Sequence, residues 1–188
     1  MSDLKITVKG TLLNENVYVP DNGERGERYN CLVILNEGEE DRIEALVKEA
    51  IQEKWGGKKP AGLQDWTARY GDEEDRDSFE KWYIHPQSKH KPKAVRMARV
   101  EGEPKPKAHA IDSSEADDYF YPGAQVAVSV DVFCFDEDKK KKMKAGVTLG
   151  LNALCFVKHG ERLSGGGVDP DEEFDGIESE EVEVDMYD

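Results

Sequence analysis

The sequence predicts a mainly β protein: a small barrel with one amphipathic helix and a disordered acidic tail. Three observations predict it. Several short runs alternate apolar and polar residues with period two, as half-buried strands do. A single segment switches to the helical period. Residues 167–188 hold eleven Asp and Glu residues and no Lys or Arg.

Leu4-Lys5-Ile6-Thr7-Val8-Lys9 opens the chain with strand alternation. "YVPDNGERGERYN" reads as a turn-rich loop leading into the apolar run Cys31-Leu32-Val33-Ile34-Leu35, a second strand. From Glu39 to Trp55, Ile43, Leu46, Val47, Ala50 and Ile51 fall at i, i+3, i+4, i+7 and i+8, one helical face. Gly56-Gly57 and Pro60 end that helix. "YGDEEDRDSFE" is an acidic surface turn, and "KWYIHPQSKHKPKAVRMARV" reads as two short strands around a basic connection. "EGEPKPKAHAIDSSEADD" has no period and reads as a loop.

The cleanest alternation comes late. Val126, Val128, Val130, Val132 and Cys134 fall on one face of "QVAVSVDVFCF", with Ala127, Ser129, Asp131, Phe133 and Phe135 on the other. "VTLGLNALCFV" resumes the strand pattern after a turn bearing Lys139, Lys140, Lys141, Lys142 and Lys144, so the two form a long hairpin with a cationic tip. Short strands, a helix after an early strand and a long late hairpin favour an OB-fold among the small β architectures. The predicted organisation is an OB-fold domain over residues 1–164, then a Gly-rich linker and acidic tail over 165–188.

Composition fits one domain with an appendage: 188 residues, 37% of them hydrophobic. Removing the eleven tail charges from the net charge of −15 leaves −4 for everything before them, so local basic patches are compatible with the body. No run approaches the ~18 apolar residues of a membrane span, and no secretory leader pattern opens the chain, so a cytoplasmic location is expected. Cys31, Cys134 and Cys155 lie in apolar runs with no CxxC pair and read as reduced thiols.

Enzymatic motifs fail one by one. No Lys-Ser or Lys-Thr follows the glycines of residues 160–167, so no phosphate-cradling loop is completed. The tail run Asp171-x-Glu173-x-Asp175-Gly176 resembles a calcium loop, but Val182 stands where a bidentate Glu is needed. His85, His90, His109 and His159 lack metal-ligand spacing, and no GxSxG elbow is present. No metal, cofactor or catalytic residue is expected.

What remains is an interleaving of rings and cations. Trp82, Tyr83, Lys89, Lys91, Lys93, Arg96 and Arg99 fall in one stretch, with few opposing acids. Single-strand binders need this mixture: rings on which bases stack, and cations for the phosphates. The lysine turn is a second cationic element, and Tyr121 and Phe133 are further stacking candidates. Trp55 and Trp66 read equally well as lids on the core.

"YNCLVIL", followed by the helix and "KWGGKKPAGLQDWTARYGDEEDRDSFEKWYIHPQSKHKPKAVR", resembles a group of phage proteins first catalogued as a domain of unknown function. So does "YPGAQVAVSVDVFCFDEDKKKKMKAGVTLGLNALCFVKHGERLSGG", with its Tyr-x-Gly start and Gly-Leu-Asn strand. The resemblance runs from about Tyr29 to Gly167. It implies an OB-fold protein of phage DNA replication and recombination that binds single-stranded DNA without sequence readout, cofactor or catalysis. The acidic tail is similar in kind to those of bacterial and podophage single-stranded DNA-binding proteins. Those usually end on Phe, whereas this chain ends Tyr187-Asp188.

The resemblance assigns the tail a role. Asp171, Glu172, Glu173, Asp175, Glu180, Glu181, Glu183, Asp185, Tyr187 and Asp188 would occupy the body's cationic groove until DNA displaces them, then recruit replication proteins. The rival reading is an acidic adaptor or DNA mimic whose negative surface binds another protein. A nuclease would need a carboxylate cluster that the sequence does not identify.

Overall fold

The computed structural model describes residues 4–24, 26–74, 78 and 80–163. Twelve elements follow one another in chain order. A long hairpin comes first, β1 (Lys5–Gly23) and β2 (Gly26–Leu35), followed by helix α1 (Glu39–Trp55). Five short strands follow: β3 (Gln64–Trp66), β4 (Ala68–Tyr70), β5 (Trp82–Ile84), β6 (Gln87–Ser88) and β7 (Lys93–Ala98). Then come β8 (Lys107–Ala110), the single-turn helix α2 (Ala116–Tyr119), β9 (Gln125–Phe135) and β10 (Gly146–Lys158).

Pairing closes a five-stranded barrel. β1 lies antiparallel between β2 and β9, and β9 pairs antiparallel with β10. The circuit is completed by β6, which runs parallel to β10 through Gly150↔Gln87 and antiparallel to β2 through Asn30↔Gln87. β10 is also flanked in parallel by β3 and β7, with β8 paired beyond β7. On the far side, β5 extends β2 and β4 extends β5. This is an OB-like β fold, as the alternation and the late hairpin predict. Among the described residues, no helix is long and apolar enough to cross a membrane.

Alternation sets the core. Val126, Val128, Val130 and Val132 point inward, together with Val8 and Leu12 of β1, Cys31 and Val33 of β2, and Leu149, Leu151 and Leu154 of β10. α1 closes the barrel with Ile43, Val47, Ala50 and Ile51, the predicted face. Its first turn carries Glu39, Glu40 and Asp41, which complement the positive end of the helix dipole. Gly56, at φ 59°, ends it in the left-handed conformation that favours glycine. Gly10 is needed for a different reason. A Cβ there would stand 2.0 Å from the Ile34 carbonyl oxygen, so β1 approaches β2 closely at this point.

The structure corrects two sequence readings and adds two strands that the sequence leaves unread. The stretch read as a loop at residues 18–30 is mostly strand, because β1 and β2 continue outward as a hairpin pinned by Asn16 Nδ2 donating to Asn30 Oδ1 at 3.1 Å. The stretch read as a loop at residues 101–118 contains β8 and the start of α2, and Tyr18 donates to the Ile111 carbonyl just beyond β8. The segment before the acidic turn supplies β3 and β4. Each is too short to display a period, and neighbouring backbone provides the pairing. The tail residues 171–188 lie outside the described residues.

Candidate nucleic-acid interface

The outward face of β9 and β10 is shaped by two glycines. Residues paired in register project to the same side of a sheet, so Phe135, Phe133 and Asp131 share a face with Gly146, Thr148 and Gly150, their partners on β10. A Cβ on Gly146 would stand 2.5 Å from the Phe135 ring, and one on Gly150 2.7 Å from Asp131 Oδ1. The ring and the carboxylate therefore lie across β10 where it has no side chain. Phe133 and Phe135 stack with centroids 6.5 Å apart, and Phe133 is 57% exposed.

β3 extends this face. Thr148 pairs with Trp66 as well as with Phe133, so the two rings flank β10 on either side, two strand spacings or about 10 Å apart. Trp66 is also exposed, and the Arg69 guanidinium sits 4.9 Å from its ring centroid. The result is an open aromatic row with a cation on one ring, matched to unpaired bases and their phosphates.

Cations stand at both ends of the face. At one end the lysine turn is folded in an ordered form. Asp138 pairs with Met143, and its Oδ1 accepts from the Lys140 and Lys141 amides at 3.0 and 3.2 Å. Asp136, at the base of the turn, is held by Lys54 and by the Trp55 indole N–H at 2.8 and 2.9 Å. Lys141, Lys142 and Lys144 line a cleft of about 610 Å³ with Arg28, Gln64 and Met143. Lys139 and Lys140 are exposed on the same turn. At the other end, Lys93 of β7 pairs with Ala153 of β10, which pairs with Ser129 of β9, placing Lys93 on the same face.

The other residues singled out from sequence are dispersed. Lys91 lies 5.6 Å from the Tyr18 ring centroid and lines a cleft of about 790 Å³ with Lys93. Lys89 lies in the turn after β6, and Arg99 just beyond β7. Arg96 projects from the opposite face of β7 to Lys93, 5.9 Å from the Tyr119 ring. Alternation along a strand separates them.

The aromatic candidates differ in their surroundings. Tyr83 is buried between β2 and β4, under Arg69 at 5.9 Å, so its ring is not open to a base. Tyr121 is 6% exposed. Its hydroxyl accepts from the Gly160 amide, lies 3.0 Å from His159 Nδ1, and its ring is covered by Arg162 at 4.2 Å. Trp82 is 39% exposed and packs edge-on against Tyr70, centroids 5.4 Å apart. The cleft beside Trp82, however, is walled by Glu40, Asp41, Glu44 and Asp65, carboxylates that repel phosphate. Conversely, Arg69 and Arg28 escape the sequence reading, which leaves Trp66 open as a lid on the core and places Phe135 on the outer side of the β9 alternation without giving it a role.

A closed β barrel with an open aromatic row between cationic ends defines a class of nucleic-acid-binding barrel. The chain belongs to the family of single-stranded DNA-binding proteins represented by that of Enterobacter phage Enc34, matched over residues 6–187. It is 24% identical over 173 residues to protein p50 of Acyrthosiphon pisum secondary endosymbiont phage 1, covering 86% of this chain and 85% of that protein. In fold it is similar to the single-stranded DNA-binding protein from bacteriophage Enc34, with a TM-score of 0.66, 16% identity and coverage of 93% of this chain and 92% of that one. The Enc34 protein in complex with single-stranded DNA gives a TM-score of 0.64 at 18% identity, covering 87% of this chain and 91% of that chain.

Proposed function

We propose that this protein binds single-stranded DNA during phage DNA replication and recombination, without catalysis and with little dependence on base sequence. The observation that carries the reading is the Trp66–Thr148–Phe133 row, exposed on one face between two cationic ends. Bases stack on Phe133, Trp66 and Phe135, while Lys141, Lys142, Lys144, Arg28 and Lys93 meet phosphates. Family membership supports the ligand class. The position of two cationic loops supports it too. In OB-folds oligonucleotides contact the face of the second and third strands and the loops joining strands one to two and four to five. Here Arg28 adjoins the first, and the lysine turn is the second.

The chain divides by this account into a binding body over residues 1–164 and a linker with acidic tail over 165–188. The tail competes with DNA for the cationic face through its eleven negative charges, tethered at high effective concentration. Released by DNA, it recruits replication or recombination proteins in the host cytoplasm. A gel-shift titration with a hairpin-free strand and its duplex, across a salt series, tests the binding. The strand should be preferred, and equal affinity for both would overturn the reading. The acidic cleft beside Trp82 favours the adaptor reading, and a chain that ignores both oligonucleotides would make that the better account.

A further inference from the structure

Asp131 occupies an unexpected position for a carboxylate on a face that meets phosphates. It points outward from β9 beside Phe133, two residues and roughly 7 Å along the strand. Lys5 of β1 is its partner in register, yet among the described residues no ion pair to Lys5 forms within 4.0 Å. The side chain instead lies across Gly150, with no hydrogen-bond partner among the described residues. Beyond Gly150, in the same row, stands the exposed amide of Gln87. An unneutralised carboxylate here costs strand affinity by repelling the backbone. A compensating contact must come from a group that donates hydrogen bonds.

We propose that Asp131, lying in the hollow left by Gly150, reads the edge of the base stacked on Phe133 and selects bases bearing an exocyclic amino group over thymine. The inference rests on the strand-binding reading above and qualifies its sequence independence at one stacking position only. An ionised carboxylate only accepts hydrogen bonds. Cytosine presents an amino donor, and carboxylates pair with it in that sense. Thymine presents two carbonyl oxygens around its single N–H, and those oxygens face the carboxylate's negative charge. Stacking differs little between the two pyrimidines, so the edge decides between them. One solvent-exposed hydrogen bond, its charge largely screened by water, separates the two bases by about threefold to tenfold. Single-strand binders otherwise derive their base preferences mainly from stacking, so a carboxylate-dependent bias is distinguishable.

The test compares labelled oligo(dC) and oligo(dT) of equal length, titrated by fluorescence anisotropy with the full-length protein at a pH where cytosine is unprotonated. Oligo(dC) should bind about threefold or more tightly. Asp131→Asn, whose amide both donates and accepts, should tighten binding to both oligonucleotides and bring their ratio to about one. Gly150→Ala keeps the charge but places a Cβ where the carboxylate lies, 2.7 Å from its oxygen. It should collapse the ratio without that general tightening, which separates edge reading from bulk repulsion. Equal or tighter binding of oligo(dT) by the wild type, or a ratio unchanged in both folded variants, overturns the proposal while leaving strand binding intact. Failure of the wild type to bind either oligonucleotide removes the strand-binding reading itself, and the base preference with it.

Discussion

Phe133 of β9 and Trp66 of β3 stand opposite the same residue, Thr148 of β10, one on each side of it. Neither segment places its ring alone. The row exists because β10 pairs antiparallel with one neighbour and parallel with the other, with both registers meeting at one small side chain. Thr148 leaves both rings exposed, and the proposed stacking of bases depends on that exposure.

Phe133→Ala and Trp66→Ala should each weaken single-strand binding by about 1–3 kcal/mol, the usual cost of losing one stacking partner. The salt dependence should stay unchanged, because no phosphate contact is lost. Trp82→Ala should leave affinity almost unaltered, since its cleft is acidic. Fluorescence titrations across a salt series measure both quantities. A Trp82 effect as large as that of Phe133 would place the strand on the wrong face.

Replacing Lys141, Lys142 and Lys144 with Ala should weaken binding and flatten its salt dependence together. Each phosphate contact removed should lower the slope of log affinity against log salt by about 0.7. Arg96→Ala should leave that slope unchanged, because its side chain lies on the other side of β7 from Lys93. An unchanged slope in the triple-lysine variant would remove the turn from the binding surface.

Tyr121→Phe should act on stability rather than on binding. The hydroxyl is buried and accepts the Gly160 amide at 3.1 Å, so its loss leaves a donor unsatisfied. The expected cost is about 1–3 kcal/mol in urea-induced unfolding, with strand affinity unaltered. A fall in affinity at full stability would restore Tyr121 to the interface.

Deleting residues 168–188 should tighten strand binding, most strongly at low salt. DNA must otherwise displace a tethered polyanion, and the advantage should fade above about 0.3 M salt, where the screening length falls below roughly 6 Å. Barrel stability should barely change. If the truncated protein stays folded but no longer binds DNA, the tail is not a competitor.

By itself the sequence determined the parts whose signals are local. The α1 boundaries follow from a helical face ended by Gly56, and the β9–β10 hairpin from alternation that separates Val126–Val132 from Phe133. Composition placed five lysines on its turn. Tertiary structure alone decided what those parts enclose and expose. The barrel closes through β6, a strand of two residues with no period to read, and the aromatic row includes Trp66 only because β3 finds β10. Trp82 and Trp66 are both exposed aromatics, but carboxylates from α1 surround one and Arg69 covers the other. Period reveals which side of a strand is wet. Register between segments far apart in the chain fixes which neighbours share that side, because it depends on how every paired strand satisfies its hydrogen bonds and buries its apolar face together.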